Sequence, residues 1–498
     1  MNIVKKSFIT LIILACIAFF GCGDTREAQN NPGNENIPHN NDNEAVDEAV
    51  ILYTPNFEII DWQGKTFTFL CTDASGYSDY YETIDIYVEA SIGEVFNDAV
   101  LLRNQVAEDK YNIEIKEIKS SNVRADTERA VRAGDDLYNA IFAITWEGTA
   151  LAQSGMLLDL NTLPNIDFSQ PWWDPNVKND LSIANKTYFM TGDISVMDDN
   201  CTMLFFFNKK LIQDYGLTDP YDLLRGNNWT IDEYAKLVKS VSRDLNGDGI
   251  MDQNDQFGNL MAFHYIQYMV QGAGMRYAEL DRDGFPQITF MSERTTSAVS
   301  KLFDLYFDDT VCMFIQNLNP PGGMNEYTYG RQLFTNDQFL FVLSQPLIFY
   351  EFRDMESEFG IMPIPKYDSN QDRYYSPVDT ACTFLSVPIT VESIDFTGYV
   401  LEAFAAESKN IVTPAYYEIM LKRKYTRDEE SAEILDLISQ SRLYDLGINY
   451  NWGGINEIIA SSFQRNSTDI ASAFERIENR VIQAAERTFE AYLNNEEN

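Results

Sequence analysis

Between Thr66 and Ile144 the chain alternates two hydrophobic periods, and this alternation restricts the fold more than any other feature. Thr66-Phe67-Thr68-Phe69-Leu70 repeats every second residue, an acidic, tyrosine-rich stretch follows, and Val95–Lys110 has a helical pattern. Ile113, Ile115 and Ile118 alternate again, a helix is expected around Thr127–Ala133, and Ala140–Ile144 is a short apolar run. Strand, helix, strand, helix, strand marks a parallel, layered α/β domain. Ligands of such sheets bind beyond the carboxyl ends of the strands. The tip after Ile144, Thr145-Trp146-Glu147-Gly148, reads as a turn that presents an indole and a carboxylate.

A second α/β region starts at the apolar run Met203–Phe207. Thr230 and Glu233 have capping-box spacing, and Ile231, Tyr234, Leu237, Val238 and Val241 then form one apolar stripe of a helix. Gln338–Leu343 and Phe359–Ile364 read as strands, and Thr380–Val387 as a crossing segment. A single long helix with Ile470, Phe474, Ile477 and Val481 on one face is expected to close the body.

The amino terminus carries an export signal. Lys5 and Lys6 precede the apolar run Phe8–Phe20, which is too short to span a bilayer comfortably and ends in Gly21-Cys22. A cysteine behind a small residue resembles the bacterial lipobox, although Phe19 stands where Leu is usual. Cys22 is therefore the expected lipidation site and Cys16 the poorer one; an ordinary cleaved secretion signal is the alternative. Asp24–Asn43 is almost empty of apolar residues and cannot bury enough surface to fold, so 22–62 is expected to be a tether.

A formal net charge of −39 repels phosphate backbones and anionic lipid, which argues against nucleic acid as a partner. Thirty-two Phe and 28 Tyr in so acidic a chain point to large cores and aromatic-lined clefts. Cys71, Cys201, Cys312 and Cys382 show no CxxC spacing; four buried thiols are expected, with two disulfides as the alternative.

Several short motifs, in this order, carry a family resemblance: Ala152-Gln153-Ser154-Gly155-Met156-Leu157, Phe206–Leu211, Asn228–Glu233, Gly330–Phe334 and Phe359–Pro365. With them the chain resembles the extracellular solute-binding proteins of family 1, the group that includes maltose-binding protein. The resemblance implies a non-enzymatic, monomeric, two-lobe α/β periplasmic-binding-protein-like fold that serves an ABC importer's permease and holds a carbohydrate between hinged lobes. Carried over, residues 63–198 with about 388–425 form one lobe, and 199–387 with about 426–498 the other. The crossovers fall near Val196–Leu204 and Ser376–Val387, with a third after Ala415.

A sugar needs hydrogen-bonding groups for its hydroxyls and aromatic faces for its rings. Trp146 and Glu147 supply both, at the interval before Ala152 where the family places polar ligand residues. Asp198 and Asp199 precede the first crossover strand, where the family tends to place a ligand carboxylate. Trp452, Tyr265, Gln345 and Asp379 complete the expected ligand set, while Phe339 and Phe341 stand where an indole is usual. Trp172-Trp173-Asp174-Pro175 reads equally well as packing beneath the cleft, and a lone His264 as a structural residue.

Asp244, Asn246, Asp248, the Ile250 carbonyl, Asp252 and Asp255, with Gly249 at position 6, follow the ligand order of a calcium loop. Bound Ca²⁺ as a structural staple is the expectation, and a metal-free Asp/Asn/Gly turn the alternative. Only His39 and His264 occur, and no GxSxG, P-loop or GxGxxG is present, so the enzymatic alternative is a carboxylate-pair glycosidase. A sugar-sensing or adhesive surface module is the other.

Overall fold

Lys65–Thr72 (β1) pairs in parallel with Ile113–Ser120 (β2) and with Ala140–Ile144 (β3). Val95–Tyr111 (α1) and Val123–Ala133 (α2) connect them. The computed structural model describes residues 52–75, 79–352, 354–417 and 429–495; Cys22 and most of the expected tether lie outside the described residues. β3 is buried at every position, as a strand covered on both faces must be. It runs straight into the helix Thr145–Gln153 (α3), so the expected turn at Trp146 is the first turn of a helix.

The first crossover contains Met197–Cys201 (α4) and leads into Leu204–Asn208 (β4), the aromatic run that builds the second sheet. Phe205 meets Phe341, Phe206 meets Phe349 and Phe207 meets Tyr221, with ring centroids 5.8, 5.1 and 5.1 Å apart. Such pairs prefer edge-to-face geometry, so consecutive phenylalanines fill both faces of one central strand. Thr230 caps Ile231–Lys239 (α5) as its spacing predicts, with Glu233 N donating to its hydroxyl. The remaining strands are Phe257–Met261 (β5), Cys312–Phe314 (β6), Phe339–Ser344 (β7), which follows the helix Glu326–Thr335 (α6), and Phe359–Met362 (β8). Their order is β8-β4-β7-β5-β6, parallel between β5 and its neighbours and antiparallel around β4.

From β8 the chain returns through Ser376–Pro377 (β9) to Thr383–Ser386 (β10), which pairs antiparallel with β3. The first sheet is thus β10-β3-β1-β2. The expected boundary at Val387 lies a strand too late, because β10 is already part of that sheet. Ile394–Ala415 (α7) packs along α1, and Glu429–Gln440 (α8) lies against β8 of the second sheet. Arg442–Leu443 (β11) then pairs with β9. The closing helix is broken. Ile470–Glu475 ends before Ile477, which has an unwound position ahead of Glu478–Asn494 (α9). α9 was expected in the second lobe, yet Gln153 donates to Thr488 Oγ1 at 2.7 Å, and Phe489 meets Phe285 at 5.0 Å. It braces both regions.

Buried polar groups hold α7 and the loop after β1. Arg103 on α1 lies over the Phe404 ring and donates to Ser408 Oγ and to the carbonyls of Asp85 and Ile86. Trp173 Nε1 donates to Glu402 Oε2 at 2.8 Å. Burial pushes the Glu402 carboxyl up to about 7, against hydrogen bonds that favour its charged form. The folded state then holds this proton more tightly than the unfolded chain, so the stability it contributes falls as pH rises from about 4.5 through 7. Glu402→Gln should remove that part of the slope, giving a variant that melts above the parent at pH 8 and level with it near pH 4.5. Parallel melting curves across this range would exclude the assignment.

Candidate functional site

The segment that follows β1 reaches residues just past the carboxyl end of β7 and on α6. That segment is fixed at its far end, where Asp85 accepts from Ser195 Oγ at 3.1 Å and Val196 N at 2.7 Å, and Arg103 grips its backbone. Tyr80 and Tyr81 therefore reach the second sheet from a fastened base. Tyr80 donates to Glu351 Oε1 at 2.9 Å and accepts from Arg331 Nη2 at 2.9 Å, while Arg331 and Glu351 pair at 2.5 Å. The Tyr80 ring stacks on that of Tyr350 at 6.4 Å. Sequence reasoning singled out none of these four as site residues. Their signals were the tyrosine-rich stretch and the Gly330–Phe334 motif, neither of which shows which partner lies opposite.

Three expected residues do come together beside them. Gln345, just past the end of β7, donates to Asp379 Oδ2 at 2.7 Å and to Tyr81 Oη at 3.3 Å, and Tyr265 Oη donates to Gln345 at 3.4 Å. Asp379 Oδ1 also accepts from Ala381 N at 2.8 Å. Burial raises the Asp379 carboxyl, opposed by these hydrogen bonds. His264, next to Tyr265, is exposed and lies against the Tyr265 and Tyr327 rings, and desolvation lowers its pKa to about 4. Trp146, 42% exposed, stands where β3 ends. Glu147 beside it accepts from Arg124 N at 3.3 Å at the start of α2, and burial raises its pKa. Part of its hydrogen-bonding capacity is spent on a helix end.

Asp198 and Asp199 face elsewhere. Both bind Arg442, Asp198 at 3.1 Å, and Asp174 joins them at 3.4 Å. Tyr417 Oη donates to Asp199 and Tyr444 Oη to Asp174, while Arg442 Nε donates to Thr202 Oγ1. Asp174, Asp198, Asp199, Tyr417 and Arg442 border a cavity of about 620 Å³, and none of Tyr81, Tyr265, Gln345 or Asp379 borders it. The reason is local: α4 turns its acidic residues toward β11, which carries Arg442. Trp452 is also displaced from its expected role. It is buried, stacks on Tyr450 and donates to Thr488 Oγ1 at 2.9 Å, filling the seat of α9. Trp172 and Trp173 are likewise core.

The loop of Asp244–Asp255 closes on itself. Asp244 accepts from Gly247 N and Gly249 N, Asp248 from Ile250 N, Asp252 from Asn254 N, and the buried Asp255 from Leu245 N and Asp252 N. Among the described residues no three acidic, histidine or cysteine side chains cluster as metal ligands. As they stand, the side chains do not converge on one centre.

The family model of bacterial extracellular solute-binding proteins matches residues 90–339. No curated protein sequence matches the chain. Among solved structures, an ABC substrate-binding protein of Listeria monocytogenes in complex with cycloalternan is similar at a TM-score of 0.53 and 12% identity, over 86% of this chain and 98% of that one. A cyclo/maltodextrin-binding protein complexed with maltotetraose matches at 0.53 and 13%, over 86% and 97%. UgpB of Mycobacterium tuberculosis in complex with glycerophosphocholine matches at 0.52 and 16%, over 78% and 95%. At these identities the likeness is one of fold, the two-lobe periplasmic-binding-protein architecture with two mixed sheets.

Arg442 gives the hinge region its clearest test. Removing one partner of a buried ion cluster strands the other charges, at a cost of about 3–5 kcal/mol. Arg442→Met should lower unfolding stability by that order in denaturant titration, and an unchanged midpoint would mean the cluster is not buried as described.

Proposed function

The chain belongs to the bacterial extracellular solute-binding proteins, and on that premise we propose that this ABC-transporter binding protein captures a carbohydrate between its two sheets. The family is non-enzymatic, which sets the glycosidase reading aside. One observation supports the choice of carbohydrate: Tyr80 and Tyr81 of the segment after β1 meet Arg331, Gln345, Tyr350 and Glu351 of the second region, so aromatic rings and hydrogen-bonding groups lie side by side. Tyr80, Tyr350 and Trp146 offer ring faces for the apolar side of a pyranose. Gln345, Asp379, Tyr265, His264 and Glu351 offer neutral and anionic partners for hydroxyls. Binding in this place exchanges contacts between the sheets for contacts to the solute, so occupancy and closure are coupled.

Trp146→Ala should weaken binding of the preferred sugar at least roughly tenfold by calorimetry, the order expected for a buried aromatic anchor. The sugar should be recovered intact, and a thermal-shift screen of mono- and oligosaccharides should find it. Calcium in the loop of Asp244–Asp255 belongs to the same proposal. Its ligand order supports an ion, which the side chains would have to turn to meet, so Ca²⁺ should raise the melting temperature in that screen and chelator lower it. A screen with no sugar hit would refute the ligand class, and indifference to both calcium and chelator would refute the ion.

The lipobox-like Gly21-Cys22 supports an anchor that keeps the binding protein beside its permease. Cys22→Ser should move the protein from the membrane fraction to the medium, and retention of the variant at the membrane would argue against lipidation at this residue.

A further inference from the structure

Two of the four buried cysteines sit on the crossovers, one on each, where the two backbones run side by side. Cys201 ends α4 on the first crossover, and Cys382 lies immediately before β10 on the second. The backbones interlock there: Asp379 N donates to Cys201 O at 2.9 Å, Cys382 N donates to Asp379 O at 3.0 Å, and Thr202 bridges Val378. Each thiol is among the groups that perturb the other, both side chains are fully buried, and Cys382 Sγ donates to the Thr383 carbonyl at 3.6 Å. The other two cysteines lie in different sheets and meet other groups, Cys71 meeting Glu117 and Cys312 meeting Asn259. Because the family works outside the cytoplasm, where dithiols oxidise and persist as disulfides, the juxtaposition has chemical consequences.

We propose that Cys201 and Cys382 form a dithiol–disulfide pair that staples the first two crossovers together. With a small-molecule disulfide as oxidant, the thiolate of one cysteine attacks it, releasing one small thiol and leaving a mixed disulfide. The second cysteine displaces the other small thiol, so two protein S–H bonds and one S–S bond become one protein S–S bond and two small thiols. Burial disfavours the thiolates in the folded state, which places the reaction during folding or opening of the hinge, before Cys201 and Cys382 are sealed. The linkage spans neighbouring backbones of the hinge, on either side of Asp379.

The test is refolding of the full chain in a buffer of reduced and oxidised glutathione, followed by alkylation and proteolysis without reduction. The expected map joins the peptides that contain residues 201 and 382, with Cys71 and Cys312 alkylated, and the oxidised protein melts higher by roughly a few degrees until reductant is added. Cys201→Ala and Cys382→Ala should each abolish the joined peptide and the reductant-sensitive rise. If all four thiols are alkylated, or if Cys201 or Cys382 joins another cysteine instead, the proposal is wrong. The peptide map of the unaltered chain decides this even if a variant folds poorly, and its result does not depend on what the protein binds.

Discussion

A buried guanidinium at the junction of the two sheets sets the terms for the rest of the molecule. Arg442 on β11 holds Asp198, Asp199 and Thr202 of the first crossover, while β11 itself pairs with β9 of the second. A charge this enclosed is tolerable only because three carboxylates and two tyrosine hydroxyls share it. The cluster thereby adds side-chain ties to connecting strands whose backbones already bond one another. A solute-binding protein needs its connections to bend without separating, and a network of directional polar contacts in the connections, beside apolar cores on either side, meets that need.

From this junction the site follows by a chain of attachments. Asp85 binds Ser195 and Val196 of the first crossover, Arg103 fastens the same loop to α1 and α7, and Tyr80 and Tyr81 project from it toward the second sheet. On the far side Gln345 and Asp379 extend the ends of β7 and β9. The side chains that face each other are therefore placed by buried polar anchors and not by loose loops, which keeps donor and acceptor positions sharp on both walls.

How much of this the sequence disclosed depends on the range of the interaction. The strands and helices of the first sheet, the Phe205–Phe207 core strand and the Thr230 cap follow from local periodicity, and the structure has them where the pattern puts them. Trp146 was legible as a strand-end residue, although Ala150–Gln153 continues the helix back to Thr145 and leaves no turn. The ion pairs of Asp198 and Asp199 and the packing of Trp452 were not legible because their partners, Arg442 and Thr488, lie far along the chain, and spacing alone does not reveal a distant partner. Tyr80 and Glu351 were missed for the same reason. The break at Ile477 was hidden because the apolar stripe continues across it in register.

The topology also dictates an order of assembly. β10 and α7 complete the first sheet and its helical layer, yet they leave the ribosome only after the whole second sheet has been made. Until then β3 has an open edge and α1 lacks the helix whose Phe404 lies under Arg103, so the first sheet cannot be completed while that part of the chain is unmade. Sheets closed by strands so distant in sequence pay their loop-closure entropy late, which makes the last-made segments decisive for both cores.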